Sequence, residues 1–534
     1  MPLAKTVLAV RRVAKNKKGF TIIELKNYYV LKEVIVIYKT SKIEIVMASF
    51  TERYHELSKY HPYSVDRPVQ LKWESHIPPF KAIENLPRIP LEPKVGPRTE
   101  MPILTDFGTL KLLTYLLHFT SGVTEEVASE NGPIHFRTNF SGGAIYPIEV
   151  FFLVRRFDIP DGLYYYDPTK SCILRMAGVE AWTQLVGVVA DTATVEKSGL
   201  VFLYTGILDR CIWRYKENAY RRVLLDAGAT LGNTVMHAYA IGLGMVPLSG
   251  FVDSKIESLL QLRSGEIPLA ALAVDPSIQN SKERFVTPSL EPAVAAKSLA
   301  VEDLQTHLQA QLLCQNQAER IPEPIFRDPV PYTFDGVAGK RQTLFESYLT
   351  SEDIRCALPI YSWHRRVCRT FLKEKLSFDS LSVTLNLAYN SIASIAESAG
   401  FLKHWLLVFS VDSVEEGLYR YLPSEHALVY VNRGTTRDVF AAAHVSAVAL
   451  NGCSAVLLQT ANLDETTAIM GDRGYRYLHL DAGIVCEAIN IWGCFTHVSC
   501  SSDSFYYEDE YKKALDFSSR ESIISETVLG IGRL

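Results

Sequence analysis

The feature that most constrains this 534-residue chain is an internal repeat. The segment GLYYYDPTKSCIL at 162–174 returns as GLYRYLPSEHALV at 417–429, and AYRRVLLDAGAT at 219–230 returns as GYRYLHLDAGIV at 474–485. Both matches have an offset of 255 residues, which unrelated coincidences would not share. We therefore predict a duplicated domain, and the chain is also longer than one hydrophobic core usually supports.

Both copies show the same succession of helices and short strands. In the first copy, leucines at helical spacing over 110–117 precede an apolar strand at 150–154, and a long apolar helix at 224–243 precedes a last strand at 267–274. The second copy repeats this order with a helix from about Phe378, a strand at 405–410, a helix at 479–495 and a strand at 523–529. The mixture predicts two α+β sandwich domains.

Composition divides the chain into five segments. These are an N-terminal extension (1–46), an extended arm that lies on the first domain (47–100), the first domain (101–276), a linker rich in Pro, Ser and Gln (277–345) and the second domain (346–534). The extension resembles a prepilin signal around KKGFTIIE, but charged residues interrupt the apolar helix that such a signal needs. Ordinary domain sequence opens at Met47, so whether the extension belongs to the native protein stays open, and no membrane segment is predicted.

Charge and cysteine usage exclude several classes of protein. The net charge is −4 and the pI is near 6.4, without a separate block of Lys and Arg, so a nucleic-acid partner is not expected. The nine cysteines form no CxxC pair and no zinc-like spacing with histidine, so no metal site is predicted. Free thiols are typical of a reducing compartment, and we expect a cytoplasmic protein.

Three motifs follow one another in the first copy: RTNFSGGAIYPIE at 137–149, GLYYYD at 162–167 and YRRVLLDAG at 220–228. In this order they resemble the SagB-type dehydrogenases, flavoenzymes of the nitroreductase superfamily that include the azoline oxidases of thiazole- and oxazole-containing peptides. The resemblance is strong over about 105–275 and weaker over 345–534. It implies FMN as the cofactor and two fused nitroreductase-like domains that form an intramolecular pseudo-dimer.

The loop Ser141-Gly142-Gly143, with Arg137 ahead of it, is the first predicted part of the flavin site. Glycine allows the backbone to approach a planar ligand closely, and N–H groups there can donate to the flavin ring. The alternative is a tight turn before a strand.

The second copy supplies RRVCR at 365–369, which resembles the RRSxR element that binds the FMN phosphate in nitroreductases. Arg365, Arg366 and Arg369 offer planar forks for phosphate, and we place Arg365 and Arg369 on one face of a helix near its N-terminus. Val367 stands where the family has Ser. The alternative is a solvated basic start of a helix.

The two copies depart from the family in complementary ways. The first copy lacks the arginine element, and the second is about a dozen residues shorter between its first helix and first strand, where only Ser398-Ala-Gly400 remains. In nitroreductase dimers one subunit supplies the arginines and the other the Ser/Gly loop. We therefore predict one complete flavin site, and one FMN, per chain.

The candidate acid–base residues are Arg214, Tyr215 and Lys216, where azoline oxidases often have a Lys-Tyr pair. Because Arg does not deprotonate, the base role falls to Tyr215 or Lys216. The alternative is an ordinary charged helix surface. Asp226 and Asp481 are expected to fix a helix start or turn.

These features predict a flavin-dependent dehydrogenation of the azoline-to-azole type on a peptide or a smaller N-acyl amino acid, with O2 reoxidising the flavin. A cyclase or acyltransferase partner would supply the substrate, and further oligomerisation stays open. The alternatives are an NAD(P)H-dependent nitro- or quinone reductase and a flavin-free scaffold subunit of a biosynthetic complex. No GxGxxG fingerprint is present, so a dedicated NAD(P) domain is not implied.

Overall fold

The computed structural model describes residues 51–62, 76–91, 95–97, 108–130, 132–248, 250–275, 340–347, 349–392, 401–445, 451–503 and 505–532. Ahead of these it describes the backbone of four strands and the first residue of a helix. The strands are β1 (Ala9–Lys15), β2 (Thr21–Lys26), β3 (Val34–Lys39) and β4 (Lys42–Val46), and they form an antiparallel sheet in that order. The helix is α1 (Phe50–Ser58).

The first copy is built on one large antiparallel sheet. Its strands are β5 (Arg88–Pro90), β6 (Val123–Val127), β7 (Ile134–Arg137), β8 (Ile148–Val154), β9 (Gly162–Asp167), β10 (Cys172–Ala177), β11 (Leu200–Ile207), β12 (Gly244–Pro247) and β13 (Glu266–Asp275). β6 and β7 form a hairpin, and the others form a sheet in the order β12-β13-β11-β8-β9-β10-β5. The helices are α2 (Leu110–Ser121), α3 (Glu180–Val186), α4 (Thr192–Lys197), α5 (Leu208–Tyr215), α6 (Ala219–Ala240) and α7 (Asp253–Leu260).

The second copy has a matching sheet. Its strands are β14 (Arg341–Thr343), β15 (Phe371–Leu372), β16 (Lys403–Val408), β17 (Gly417–Leu422), β18 (Ala427–Asn432), β19 (Ala455–Asn462), β20 (Ser499–Asp503) and β21 (Glu521–Gly532). They pair in the order β14-β18-β17-β16-β19-β21-β15, and β20 also pairs with β21. The helices are α8 (Ser351–His364), α9 (Phe378–Ile392), α10 (Arg437–Ala442), α11 (Leu463–Met470), α12 (Arg473–Phe495) and α13 (Glu508–Ala514).

The repeat in the sequence is a repeat in the fold. β8 and β16, β9 and β17, β11 and β19, and α5 and α11 each begin 255 residues apart. The predicted fold class, two fused α+β domains, is confirmed. The connection from α9 to β16 is also shorter than the one from α2 to β8, as the sequence indicated, although Ser398 and Gly400 lie outside the described residues.

Strand periodicity places helices on both faces of the first sheet. Along β8, the side chains of Phe152 and Val154 belong to the core shared with α2 and α6. The alternate side chains, Phe151 and Leu153, pack with α3, α4 and α7 on the opposite face. This is the period of two that a strand imposes on its side chains.

The two copies meet along their central helices, α6 and α12, and two equivalent ion pairs cross between them. Arg221 lies 3.4 Å from Glu508 of the second copy, while Arg476 of the second copy lies 2.6 Å from Asp253 of the first. Arg221 and Arg476 are equivalent under the 255-residue offset, as are Asp253 and Glu508. The interface therefore repeats itself in the manner of a symmetric dimer, within one chain.

Two predicted segments differ from what the sequence indicated. The arm begins with a helix, α1, and it reaches the second copy, because the Thr51 hydroxyl donates to Asp472 at 2.7 Å and His55 lies 2.9 Å from Glu508. Farther along the arm, β5 joins the first sheet. The predicted linker ends in β14, which pairs with β18 of the second sheet. None of the helices in the described part of the chain combines the length and the apolar character of a membrane span.

Candidate functional site

The loop between β7 and β8 is held by a carboxylate from the central helix of its own copy. The Ser141 hydroxyl donates to Asp226 Oδ2 at 2.5 Å, and the Gly142 N–H donates to Asp226 Oδ1 at 3.2 Å. Ser141 Oγ also accepts the N–H of Tyr146 at 2.8 Å. The Gly142 N–H, expected to serve the flavin ring, is therefore engaged inside the protein.

Asp226 does not fix a helix start, but it has the other role expected from the sequence, because it holds the turn at Ser141 and Gly142. It lies inside α6, and Asp481 lies at the equivalent place inside α12. Burial raises the pKa of the Asp226 carboxyl to about 6, although Arg222 and the hydrogen bonds from Ser141 and Gly142 oppose that rise. Asp226 therefore serves as a buried acceptor for the loop.

Gly143 forms the exposed tip of this loop and has a φ of +66°. A Cβ at this position would lie 3.1 Å from both the Tyr215 hydroxyl and Arg214 Nε. Glycine is needed here for its backbone conformation and for the space beside these two side chains. The structure thus brings the predicted loop together with two of the three predicted acid–base residues.

Tyr215 is the buried member of the acid–base group. Burial raises the pKa of its phenol to about 12, while Arg222 and Arg214 act to lower it. The hydroxyl is therefore protonated at neutral pH and is available first as a hydrogen-bond donor. Lys216 follows with an exposed side chain and a positive φ of 47° at the end of α5.

The arginine element does not lie on a helix, so that part of our prediction was wrong. α8 ends at His364, and residues 365–370 are not helical. Arg365 and Arg369 therefore do not share a helical face, and the helix end that directly precedes them in the sequence is a C-terminus, whose dipole does not favour an anion.

Arg365 nevertheless reaches the loop of the other copy. Its Nη2 and Nε donate to the carbonyl oxygens of Arg137 and Thr138, each at 3.4 Å. Its Nε also lies 3.6 Å from the buried carboxylate of Glu487 in α12. The loop from one copy and the arginine from the other are thus in direct contact.

The remaining arginines have different surroundings. Arg366 lies on the surface, where its Nη2 donates to Glu125 at 2.6 Å and its guanidinium lies 5.0 Å from the Phe136 ring centroid. Arg369 is exposed. Arg137 is buried and anchors the arm, because its Nη2 donates to the Pro79 carbonyl at 2.7 Å.

Comparison with known proteins identifies the domains. The sequence model of the Nitroreductase family matches residues 141–274 and 364–493, one range in each copy. The chain carries two nitroreductase-family domains. A crystal structure of a protein named as a nitroreductase from Anabaena variabilis ATCC 29413 has the same fold, with a TM-score of 0.76 and 24% sequence identity, over 91% of this chain and 100% of that one.

Two relatives align with part of the chain. MJ1384 of Methanocaldococcus jannaschii, named as a nitroreductase, is 27% identical over 172 residues, which are 32% of this chain and 82% of that protein. The microcin B17-processing protein McbC of Escherichia coli is 27% identical over 130 residues, which are 23% of this chain and 47% of McbC. The match to McbC therefore spans about half of that protein.

The residues present fit FMN, the usual cofactor of nitroreductase-family proteins. Gly143 is exposed and has no side chain, so its backbone leaves room for a planar ring to approach beside Arg214 and Tyr215. Arg369 offers an exposed cation for a phosphate. Arg366 is a second cation on the surface, and a phosphate there would take the place of Glu125, with which its guanidinium is paired. Arg365, whose donors face carbonyl oxygens, fits a role in holding the loop better than a role in binding phosphate directly.

Sequence reasoning missed Glu487, one of the two acidic residues that hold this loop. Glu487 accepts the N–H of Phe140 at 3.1 Å, and burial raises the pKa of its carboxyl to about 7. The available signal was its position, since an acidic side chain inside the apolar helix at 479–495 must find a buried partner. The same reasoning applies to Asp226.

Proposed function

We propose that this chain is an FMN-dependent oxidoreductase of the SagB type with a single flavin site to which both nitroreductase-family domains contribute. The observation that carries the proposal is the contact between Arg365 of the second copy and the loop that leads to Gly143 in the first. The complementary losses in the two copies support the same conclusion.

The proposed reaction is the dehydrogenation of a heterocycle derived from a peptide or an N-acyl amino acid. The SagB-type motifs support it, as does the similarity to McbC, which is named for processing microcin B17. Bound FMN would supply the acceptor for two electrons. The chain's own residues would position the substrate and move its proton.

Tyr215 is the residue we propose for proton transfer. Its protonated hydroxyl can donate a hydrogen bond to a heteroatom of the substrate. A role as base requires the phenolate, and the neighbouring Arg214 and Arg222 favour that form because they lower the pKa. The exposed Lys216 stays the second candidate for the base.

A reductase that uses NAD(P)H is the competing proposal, and the similarity to MJ1384 favours it.

One experiment separates these proposals. The purified protein is mixed without oxygen with a thiazoline-containing peptide, and separately with NADPH. Bleaching of the flavin by the peptide, with loss of two hydrogen atoms from it, supports the dehydrogenase. Bleaching by NADPH alone favours the reductase, and a colourless protein that takes up no FMN favours the scaffold.

The proposal extends to partners and location. A thiazoline or a related substrate must first be cyclised, so we propose a cyclase or acyltransferase as the enzyme that supplies it. The eight described cysteines are free thiols, which supports the cytoplasm as the site of action.

A further inference from the structure

Glu487 joins two parts of the proposed flavin site. Its side chain is fully buried in the middle of α12. Its Oε2 accepts the N–H of Phe140 in the loop of the first copy at 3.1 Å, and its Oε1 lies 3.6 Å from Arg365 Nε. One carboxylate of the second copy thus contacts both the loop and the arginine segment.

This carboxylate breaks the pseudo-symmetry of the interface. The position equivalent to Glu487 in the first copy is Gly232. A Cβ on Gly232 would lie 3.5 Å from the Cβ of Glu487 and 3.3 Å from the Cα of Ile484, so that the glycine leaves room for α12 and its acidic side chain. The supporting carboxylate is therefore present in α12, at Glu487, and absent from the equivalent position of α6, at Gly232.

A second carboxylate supports the same loop from the opposite helix. Asp226 of α6 accepts the Ser141 hydroxyl and the Gly142 N–H. Residues 140–142 are consequently held between a carboxylate of each central helix. Such a loop needs little ordering when a ligand arrives, which lowers the free-energy cost of binding.

We infer that Glu487 is a positioning residue that, with Asp226 on the other side, sets the loop of the first copy in its binding conformation before FMN is bound. The inference rests on the proposed flavin site. It makes the conformation of a loop in one domain depend on a side chain of the other domain.

The test compares two buried glutamates shortened by one methylene group. Glu487→Asp keeps a charge near Arg365 but withdraws the acceptor from the Phe140 N–H. Glu526→Asp makes the same change at a fully buried carboxylate of the second copy that pairs with His444. Hydrogen–deuterium exchange is measured in flavin-free protein on a peptide covering 138–143, and FMN affinity is measured by titration.

We expect loop exchange to be about tenfold faster, and FMN binding about tenfold weaker, in Glu487→Asp, and both to be unchanged in Glu526→Asp. Glu487→Gln, which keeps an acceptor, should retain the loop protection of the unmodified protein. Unchanged exchange in Glu487→Asp, or equal acceleration in Glu526→Asp, would overturn the inference. Failure of the unmodified protein to bind FMN would refute the proposed function instead, and the exchange comparison would still decide the role of Glu487.

Discussion

Gly228 and Gly483 face each other where the two central helices cross. They are equivalent positions, 255 residues apart in the sequence. A Cβ added to Gly228 would lie 2.8 Å from the Cα of Gly483, and one added to Gly483 would lie 2.9 Å from the Cα of Gly228. This close approach of α6 and α12 brings Asp226 and Glu487 to the same loop.

Replacing Gly228 by Ala should weaken the contact between the domains. The added methyl group would overlap the Leu480 carbonyl oxygen, which is backbone and cannot move aside without shifting α12. We expect a lower midpoint of thermal unfolding, equivalent to about 1–3 kcal/mol, and weaker FMN binding. In the control, Gly187→Ala, the nearest atom to the new Cβ lies 3.5 Å away, so stability should hold. Equal stability of the two variants would contradict the assigned packing.

Replacing Arg366 by Ala should affect the cofactor and leave the fold intact. Its guanidinium is on the surface, and loss of a charge-assisted contact to phosphate of about 1.5–3 kcal/mol should weaken FMN binding roughly tenfold to a hundredfold. Arg433→Ala removes an exposed arginine elsewhere in the second copy and is the matched control. Titration of the flavin-free variants measures the effect. An equal loss in both would show that charge in general, and not this position, attracts the cofactor.

Replacing Tyr215 by Phe should separate chemistry from binding. The ring and its contacts with Arg222 and Phe505 are kept, and only the hydroxyl beside Gly143 is lost. We expect normal flavin content and turnover lowered by about a hundredfold, in the range usual for loss of an acid–base group. A variant that lost flavin but kept its turnover after reconstitution would show that the role of Tyr215 is structural.

The stability of the protein should depend on pH through Glu487. Its folded-state pKa of about 7 exceeds the ordinary value of 4.5, so the folded protein holds more protons between these values. This contribution to the free energy of unfolding is complete below about pH 4.5 and is lost as the pH rises to about 7. We therefore compare the free energy of unfolding of Glu487→Gln with that of the unmodified protein. From about pH 5 to about pH 8, this difference should shift in favour of the variant by up to about 3 kcal/mol. Denaturant unfolding of both proteins at the two pH values measures this shift. If the variant and the unmodified protein differed by the same free energy of unfolding at both pH values, the raised pKa of Glu487 would be contradicted.

The duplication and the α+β class could be predicted because they depend on patterns that the chain carries locally. The repeat at one offset located equivalent elements, and the apolar run before Gly242 placed most of α6. The leucines at helical spacing over 110–117 also lie within α2.

The geometry of the arginine segment could not be predicted in the same way. Spacing of Arg365 and Arg369 by four residues fits a helix, but the helix there begins at the capping box of Thr350 with Asp353 and has ended by His364. That capping box was a readable signal that placed the helix earlier. The contacts of Arg365 with Thr138 and Glu487 link residues far apart in sequence, so no local pattern contains them.

The content of flavin per chain tests the central claim most directly. The protein is purified, saturated with FMN and freed of excess, and the flavin released on denaturation is measured against the protein concentration. If both domains contribute to a single flavin site, each chain should release one FMN, and no second chain should be needed to complete that site. A ratio near two would mean that each domain holds its own cofactor, and that result would contradict the account.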